Sequence, residues 1–268
     1  MKYKDYEGSI EELVRRRLAE IEEKEQVRVL HAVESGSRAW GLASPDSDYD
    51  VRFVYVRPME YYLRLNPGKD FIDWELNETL DINGWDLRKV LQHFHKSNAV
   101  MYEWANSPVV YRTTPEWQNV REAAVPFFSC KSAMYHYYGT ANRNYLEYLT
   151  EERVRYKKYF YVLRPLLACR WIEQKASPPP VLFHELTDTM LEEGMRVSVE
   201  ELMQKKMQMA ESEKGAKVEL INEYIVNGLA YFKQRIEAME DDRKADWQDL
   251  NRLFLDLASR SGEEHCVE

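Results

Sequence analysis

The order of apolar and polar residues changes character once along the chain. Ile10, Leu13, Val14, Leu18 and Ile21 recur every three or four positions, which predicts an amphipathic helix reaching about Lys24. Ser9 and Glu12 open it with the spacing of a capping box, each side chain satisfying the other residue's backbone N–H. The β-branched run Val27 to Val33 then ends at Glu34-Ser35-Gly36-Ser37, the pattern of a strand entering a tight turn. A short helix over 38–42 and a polar turn over 43–47 lead to a second β-rich run, Asp48 to Val56, bounded by Pro58. After a less regular stretch with an Asn66-Pro67-Gly68 turn, residues 78–84 suggest another strand. Asp86 is placed to cap a helix carrying Leu87, Val90, Leu91 and Phe94 on one face, and Val109-Val110-Tyr111 reads as one more short strand.

From about Pro115 the strand signals thin out and helical periodicities take over, across 127–148, 153–174, 218–240 and 246–260. Ala176-Ser-Pro-Pro-Pro180 interrupts them, and the Glu-, Lys- and Met-rich stretch over 192–217 reads as a solvated helix or a connection. The pattern therefore predicts the α+β class, with one α+β domain over residues 1–112 followed by a helical domain over 113–268.

Composition narrows the function without naming it. Of 268 residues, 44% are hydrophobic and 13% aromatic, enough to build a core and to exclude wholesale disorder. The net charge of −9 excludes a uniformly basic, polyanion-coating protein, yet residues 143–175 hold eight Lys/Arg against four Asp/Glu. The acidic excess sits in residues 176–268, with 20 Asp/Glu against 11 Lys/Arg. Cys130, Cys169 and Cys266 lie far apart and suggest neither a disulfide framework nor a zinc site, and the six histidines show no metal-ligand spacing. No apolar run approaches the roughly 20 residues of a spanning helix, so the expectation is a soluble cytoplasmic protein with no membrane partner.

The informative segment runs from Gly36 to Asp50. On a strand, Asp48 and Asp50 share a face with Cα atoms roughly 6.5–7 Å apart. Two carboxylates that close repel unless a cation lies beside them, and a hard divalent ion such as Mg²⁺, shared with substrate phosphates, meets that need. Upstream, Gly36 and Ser37 open a turn at a predicted helix start, where backbone N–H groups favour a phosphate and glycine lets the backbone approach closely. A phosphate-cradling turn and a metal-holding strand facing one cleft is the layout for attack on a nucleoside triphosphate. In the basic segment, Lys157, Tyr161 and Arg164 follow the i, i+4, i+7 spacing of one helix face, with Lys158 beside them and Pro165 predicting a kink or a fresh start. Lys158, Tyr161 and Arg164 on such a face could grip a triphosphate and stack a base; the same spacing also fits an ordinary solvated basic face.

Gly36-Ser37 and Asp48-Tyr49-Asp50 match the signature of the nucleotidyltransferase (DNA polymerase β-like) superfamily: Gly-Ser, a spacer of about ten residues, then Asp-x-Asp. More closely, the chain resembles the YcgL-type predicted nucleotidyltransferases, also described as the RNA repair pathway DNA polymerase β family. The resemblance is carried by residues 34–52, 81–89, 98–109 and 158–168. It implies a small mixed-sheet, polymerase β-like nucleotidyltransferase domain and transfer of a nucleotidyl group from an NTP to an acceptor hydroxyl with release of pyrophosphate. Two Mg²⁺ ions, or Mn²⁺ in their place, would be held by Asp48, Asp50 and a third carboxylate from a neighbouring strand. Asp81 and Asp86 are both candidates; Asp81 is favoured because it sits inside the strand-like run while Asp86 is placed to cap a helix. Gly36, Ser37 and Arg38, with Lys158, Tyr161 and Arg164, complete the expected nucleotide-binding set. An RNA end is one acceptor compatible with the resemblance. A protein or small-molecule acceptor, or a silent nucleotide- or RNA-binding module, is an alternative, and the oligomeric state is not specified by the sequence.

Overall fold

The computed structural model describes residues 8–44, 47–66, 68–77, 79–208 and 213–263. Pro45, Asp46, Pro67, Glu78, His265 and Cys266, each part of an expectation above, lie outside them. The chain forms two compact units: one built from residues 1–96, 100–127 and 244–268, the other from 97–99 and 128–243.

In the first unit, helix α1 (Ile10–Glu25) starts at the Ser9/Glu12 capping box. It is followed by β1 (Arg28–Glu34), the single turn α2 (Gly36–Ala39), β2 (Tyr49–Val56), the short α3 (Met59–Tyr62), β3 (Phe71–Leu76) and β4 (Leu80–Asp86). Helices α4 (Leu87–His95) and α5 (Ala99–Ala105), strand β5 (Val110–Thr113) and helix α6 (Pro115–Ala124) come next. The strands form one mixed sheet in the order β3-β4-β2-β1-β5, in which β2 and β4 run parallel and the other neighbours antiparallel. The α+β class and mixed sheet expected from sequence are those observed. Strand β3 falls in the stretch that read as irregular.

The alternation of the strands divides their residues between two faces. Leu13, Val14, Leu18 and Ile21 of α1 pack with Val29, Ala32, Val51, Phe53, Tyr55, Leu80 and Ile82. Gly84 is paired with Phe53, and a Cβ added there would meet the Phe53 ring at 2.2 Å, so this position admits no side chain without moving a fully buried aromatic. On the opposite side, His31 stacks on Trp117 of α6 with ring centroids 4.5 Å apart and is held neutral by burial, its pKa lowered to about 4. Asp86 caps α4, accepting from the Arg88 N–H at 2.8 Å and from the Tyr62 hydroxyl at 2.9 Å.

The second unit contains α7 (Cys130–Tyr148), β6 (Arg153–Val154), α8 (Tyr156–Lys175), α9 (Phe183–Met190), α10 (Arg196–Gln208), β7 (Gly215–Ala216) and α11 (Glu219–Glu237). Helix α8 is its axis: eleven of its residues are buried, from Tyr159 to Ile172, and the helix continues through Pro165. Packing on every side compensates for the backbone hydrogen bond that proline cannot donate. The Tyr159 hydroxyl accepts from the Val218 N–H at 2.9 Å and the Asn222 amide at 2.8 Å, tying α8 to the start of α11.

A single cut near residue 112 does not describe these units. Helix α6 and a last helix, α12 (Gln248–Glu263), belong with the sheet. The reason lies in their apolar stripes: Trp117 and Val120 of α6 and Leu250 and Leu257 of α12 are buried within the first unit, where Phe254 meets Tyr62 edge-on at 4.9 Å. Among the described residues no helix is long and apolar enough to cross a membrane.

Gly84→Ala is expected to cost roughly 1–3 kcal/mol by overpacking Phe53, read as a lower midpoint in chemical denaturation. Burial raises the Asp86 carboxyl from an ordinary 3.8 to about 6, against the hydrogen bonds from Arg88 and Tyr62. The folded state therefore holds a proton that the unfolded chain has released, and stability falls as pH rises from about 4 to about 6. Asp86→Asn should flatten that slope in pH-dependent denaturation curves.

Candidate active site

The site forms where the C-terminal end of β1 meets the start of β2. Antiparallel pairing sets Glu34 opposite Val51, and the Ser35 N–H donates to the Asp50 carbonyl at 2.8 Å. Gly36 then takes a positive φ of 64°, a conformation that glycine adopts without the penalty a side chain brings. Its lack of a side chain matters twice, because a Cβ at Gly36 would lie 2.4 Å from Oδ2 of Asp50. The Gly-Ser turn is thus a backbone surface pressed against the Asp50 carboxylate. Helix α2 is one turn long, and the N–H groups of such a first turn have no intrahelical acceptor.

On the other side of Asp50, the parallel register of β2 with β4 pairs it directly with Asp81. Asp48 stands exposed just ahead of β2. Asp86 lies at the far end of β4, paired with Tyr55 and engaged as a helix cap. Of the two candidates for a third carboxylate, the fold brings Asp81 to Asp50 and keeps Asp86 away. Burial raises the Asp50 carboxyl above its ordinary range, Arg52 opposes the shift, and the charges of Asp81 and Asp48 add to it.

Two residues given no role from sequence, Glu34 and Arg52, shape this site. Glu34 is buried: its Oε1 accepts the Asp50 N–H at 2.8 Å and its Oε2 accepts the Tyr111 hydroxyl at 2.5 Å. Burial raises the Glu34 carboxyl, with the Tyr111 hydrogen bond acting in the other direction. Arg52 lies between the two paired aspartates, its Nη2 donating to Oδ1 of Asp50 at 3.1 Å and to Oδ2 of Asp81 at 2.7 Å. The sequence signals were a glutamate closing an otherwise apolar strand and an arginine inside a β-rich run; neither reveals its partners.

The remaining expected nucleotide contacts are divided between the two units. Ser37 is half-buried beside Gly36 in α2. Arg38 directs Nε to the Asp48 carbonyl at 3.0 Å and Nη2 to the Ser47 carbonyl at 2.5 Å, with its guanidinium 3.7 Å above the Tyr49 ring. Through these contacts Arg38 clamps the backbone carrying Asp48. In the helical unit, the Lys158 ammonium lies 3.7 Å over Tyr148 and 5.0 Å over Tyr161. Arg164 does not lie on a solvated face with them. It is 3% exposed and donates from Nε to the Val181 carbonyl at 3.2 Å, because α8 is enclosed by its neighbours on that side as well.

Among the described residues, no three His, Cys, Asp or Glu side chains are gathered closely enough to hold a metal ion, and Asp81 is committed to Arg52. The donor chemistry nevertheless suits a hard divalent cation: carboxylate oxygens of Asp48 and Asp50, with Oδ2 of Asp50 turned toward the side-chain-free surface of Gly36. Gly36→Ala is expected to lose at least about 1 kcal/mol from the left-handed backbone alone and to displace the Asp50 carboxylate, measured as a lowered Tm with the wild-type far-ultraviolet circular dichroism retained.

The model of the RNA repair pathway DNA polymerase beta family matches residues 10–256 of the chain. The uncharacterized protein YcgL of Bacillus subtilis (strain 168) is 39% identical over 242 residues, covering 89% of this chain and 92% of that protein. A solved structure of a nucleotidyltransferase-like protein from Exiguobacterium sibiricum 255-15 aligns with 86% of this chain and 75% of its own, at 13% identity and a TM-score of 0.30. With nearly its whole length matched by the family model, and the Gly-Ser turn and paired aspartates set in a mixed sheet, the chain belongs to the RNA repair pathway DNA polymerase beta family.

Proposed function

We propose that the protein is a divalent-cation-dependent nucleotidyltransferase that moves a nucleotidyl group from an NTP to an acceptor hydroxyl, an RNA end being the acceptor class suggested by its family. The observation that carries this reading is the close fit of the Gly36 backbone against Asp50, with Asp81 paired to Asp50 across the parallel strands and Asp48 exposed beside them. Asp48 and Asp50 would hold Mg²⁺ or Mn²⁺, and Asp81, bound to Arg52 in this structure, would complete a two-ion site only on leaving that contact. When bound, such ions lower the pKa of an acceptor hydroxyl and offset the charge that builds on the departing pyrophosphate.

The chain's own residues do the positioning. Glu34 fixes the Asp50 backbone through its N–H, and Arg38 fixes that of Asp48 through its carbonyl, so both carboxylates are placed before substrate arrives. The first-turn N–H groups beside Gly36 and Ser37 form a surface for triphosphate oxygens, with no side chain at position 36 to keep the phosphates away. In the transfer, the acceptor oxygen forms a bond to the α-phosphorus as the bond from that phosphorus to the β-bridging oxygen breaks. Pyrophosphate leaves, and the hydroxyl proton is lost to water at the open rim where Asp48 stands.

Incubation with each labelled NTP, Mg²⁺ and RNAs bearing different ends, alongside protein and small-molecule acceptors, tests the reading. Pyrophosphate release and a labelled product are expected from the wild type and absent from Asp48→Ala/Asp50→Ala. Asp81→Asn should lower turnover by at least about 10²-fold. Release no greater than that of the double variant across all substrates would end the enzymatic reading.

A further inference from the structure

Arg52 has more partners than a surface arginine needs. Its Nη2 donates to Asp50 and Asp81 at 3.1 and 2.7 Å, while Nη1 donates to the Val51 carbonyl at 3.0 Å and the Asp81 carbonyl at 3.2 Å. The two backbone contacts reach both parallel strands, so the guanidinium is fixed over the carboxylate pair and not merely drawn toward it. Carboxylates at directly paired positions repel, and a single positive charge held between them relieves that repulsion. The side chains of Asp50 and Asp81 remain 36% and 29% exposed, so the pair is reachable by an ion from solution.

We propose, on the reading of Asp48, Asp50 and Asp81 as cation ligands, that Arg52 is an internal counter-ion that must yield Asp81 before a divalent cation can use it. The geometry divides the oxygens of the site into two groups. Oδ2 of Asp50 faces Gly36, and Asp48 stands apart, so these donors lie outside the Arg52 contacts. Oδ1 of Asp50 and Oδ2 of Asp81 are the atoms that the guanidinium occupies. A cation drawing on the first group leaves Arg52 in place, whereas one drawing on the second competes with it. Arginine remains charged at any working pH, so displacement from Asp81 leaves a guanidinium in need of another anion. The triphosphate of an incoming nucleotide is such an anion. Arg52 thereby links full occupation of the cation site to the presence of nucleotide.

The test is Mn²⁺ binding without nucleotide, followed through the paramagnetic resonance signal of the free ion, for the full-length wild type, Arg52→Gln and Arg52→Lys. Arg52→Gln is expected to bind Mn²⁺ about tenfold more tightly, the scale of one charge-assisted contact removed from competition. Arg52→Lys, which keeps the charge and loses the fork, should fall between them. Nucleotide should raise Mn²⁺ affinity in the wild type and do so less in Arg52→Gln. Thermal unfolding in chelator reports whether each variant is folded, and if the glutamine variant is not, the lysine variant carries the comparison. Unchanged or weaker Mn²⁺ binding in a folded variant, beside wild-type binding that Asp48→Ala/Asp50→Ala abolishes, would overturn the counter-ion role and leave the cation site standing. Absence of Asp48- and Asp50-dependent Mn²⁺ binding in both wild type and variants would overturn the cation site and the counter-ion role together.

Discussion

Two carboxylates cannot face each other across neighbouring strands without something to hold their charges in check. In this protein the parallel register of β2 and β4 forces that encounter between Asp50 and Asp81, and Arg52, one residue beyond Val51 on the same strand, answers it. Much of the surrounding structure keeps the encounter in place. The Ser35 N–H holds the Asp50 carbonyl, Glu34 holds its N–H, and Tyr111 and Ser107 from the other side of β1 hold Glu34 in turn. Behind them, the α1 face of the sheet is packed so closely that Gly84 has no room for a methyl group, which fixes β4 against β2. A slip of one residue between these strands would turn Asp81 to the opposite face and leave Asp50 without its neighbour.

The parts of this arrangement legible in the sequence are those set by local chemistry. The capping box at Ser9, the strand ending at the Gly-Ser turn and the cap at Asp86 each depend on residues a few positions apart, and each is found where the pattern places it. The different settings of Asp81 and Asp86 were also readable, because one sits inside a strand pattern and the other at a helix start. The long-range contacts of Glu34 and Arg52 were not, since Glu34 reaches Asp50 and Tyr111 across 16 and 77 residues, Arg52 reaches Asp81 across 29, and each depends on strand order. Strand β3 escaped for a related reason. It lies at the edge of the sheet with one fully buried residue, Ile72, so its sequence carries little of the alternation that marks a strand buried on one face.

Helical spacing misled at Arg164 for a different physical reason. Periodicity states which residues share a face, not whether that face meets water. In a helix that forms the axis of its unit, Lys158 lies half-buried against aromatic rings while Arg164, two turns on, is enclosed and bound to a carbonyl. Arg38 shows the converse: a cation beside the Gly-Ser turn that donates from Nε and Nη2 to backbone carbonyls of its own chain. In both places a positive charge counted from sequence as available to ligand has an architectural task.

Helix α12 closes the first unit from a point in the chain beyond the whole helical unit, resting on α3, α4, α6 and β2. The order of synthesis therefore inverts the order of completion. The helical unit, continuous over residues 128–243, can assemble while the sheet still lacks one of its covering helices. The last surface of the sheet-bearing unit is covered only when residues 248–263 emerge from the ribosome. A chain stopped short of that point would leave exposed the apolar seat that α3, α4, α6 and β2 offer to α12.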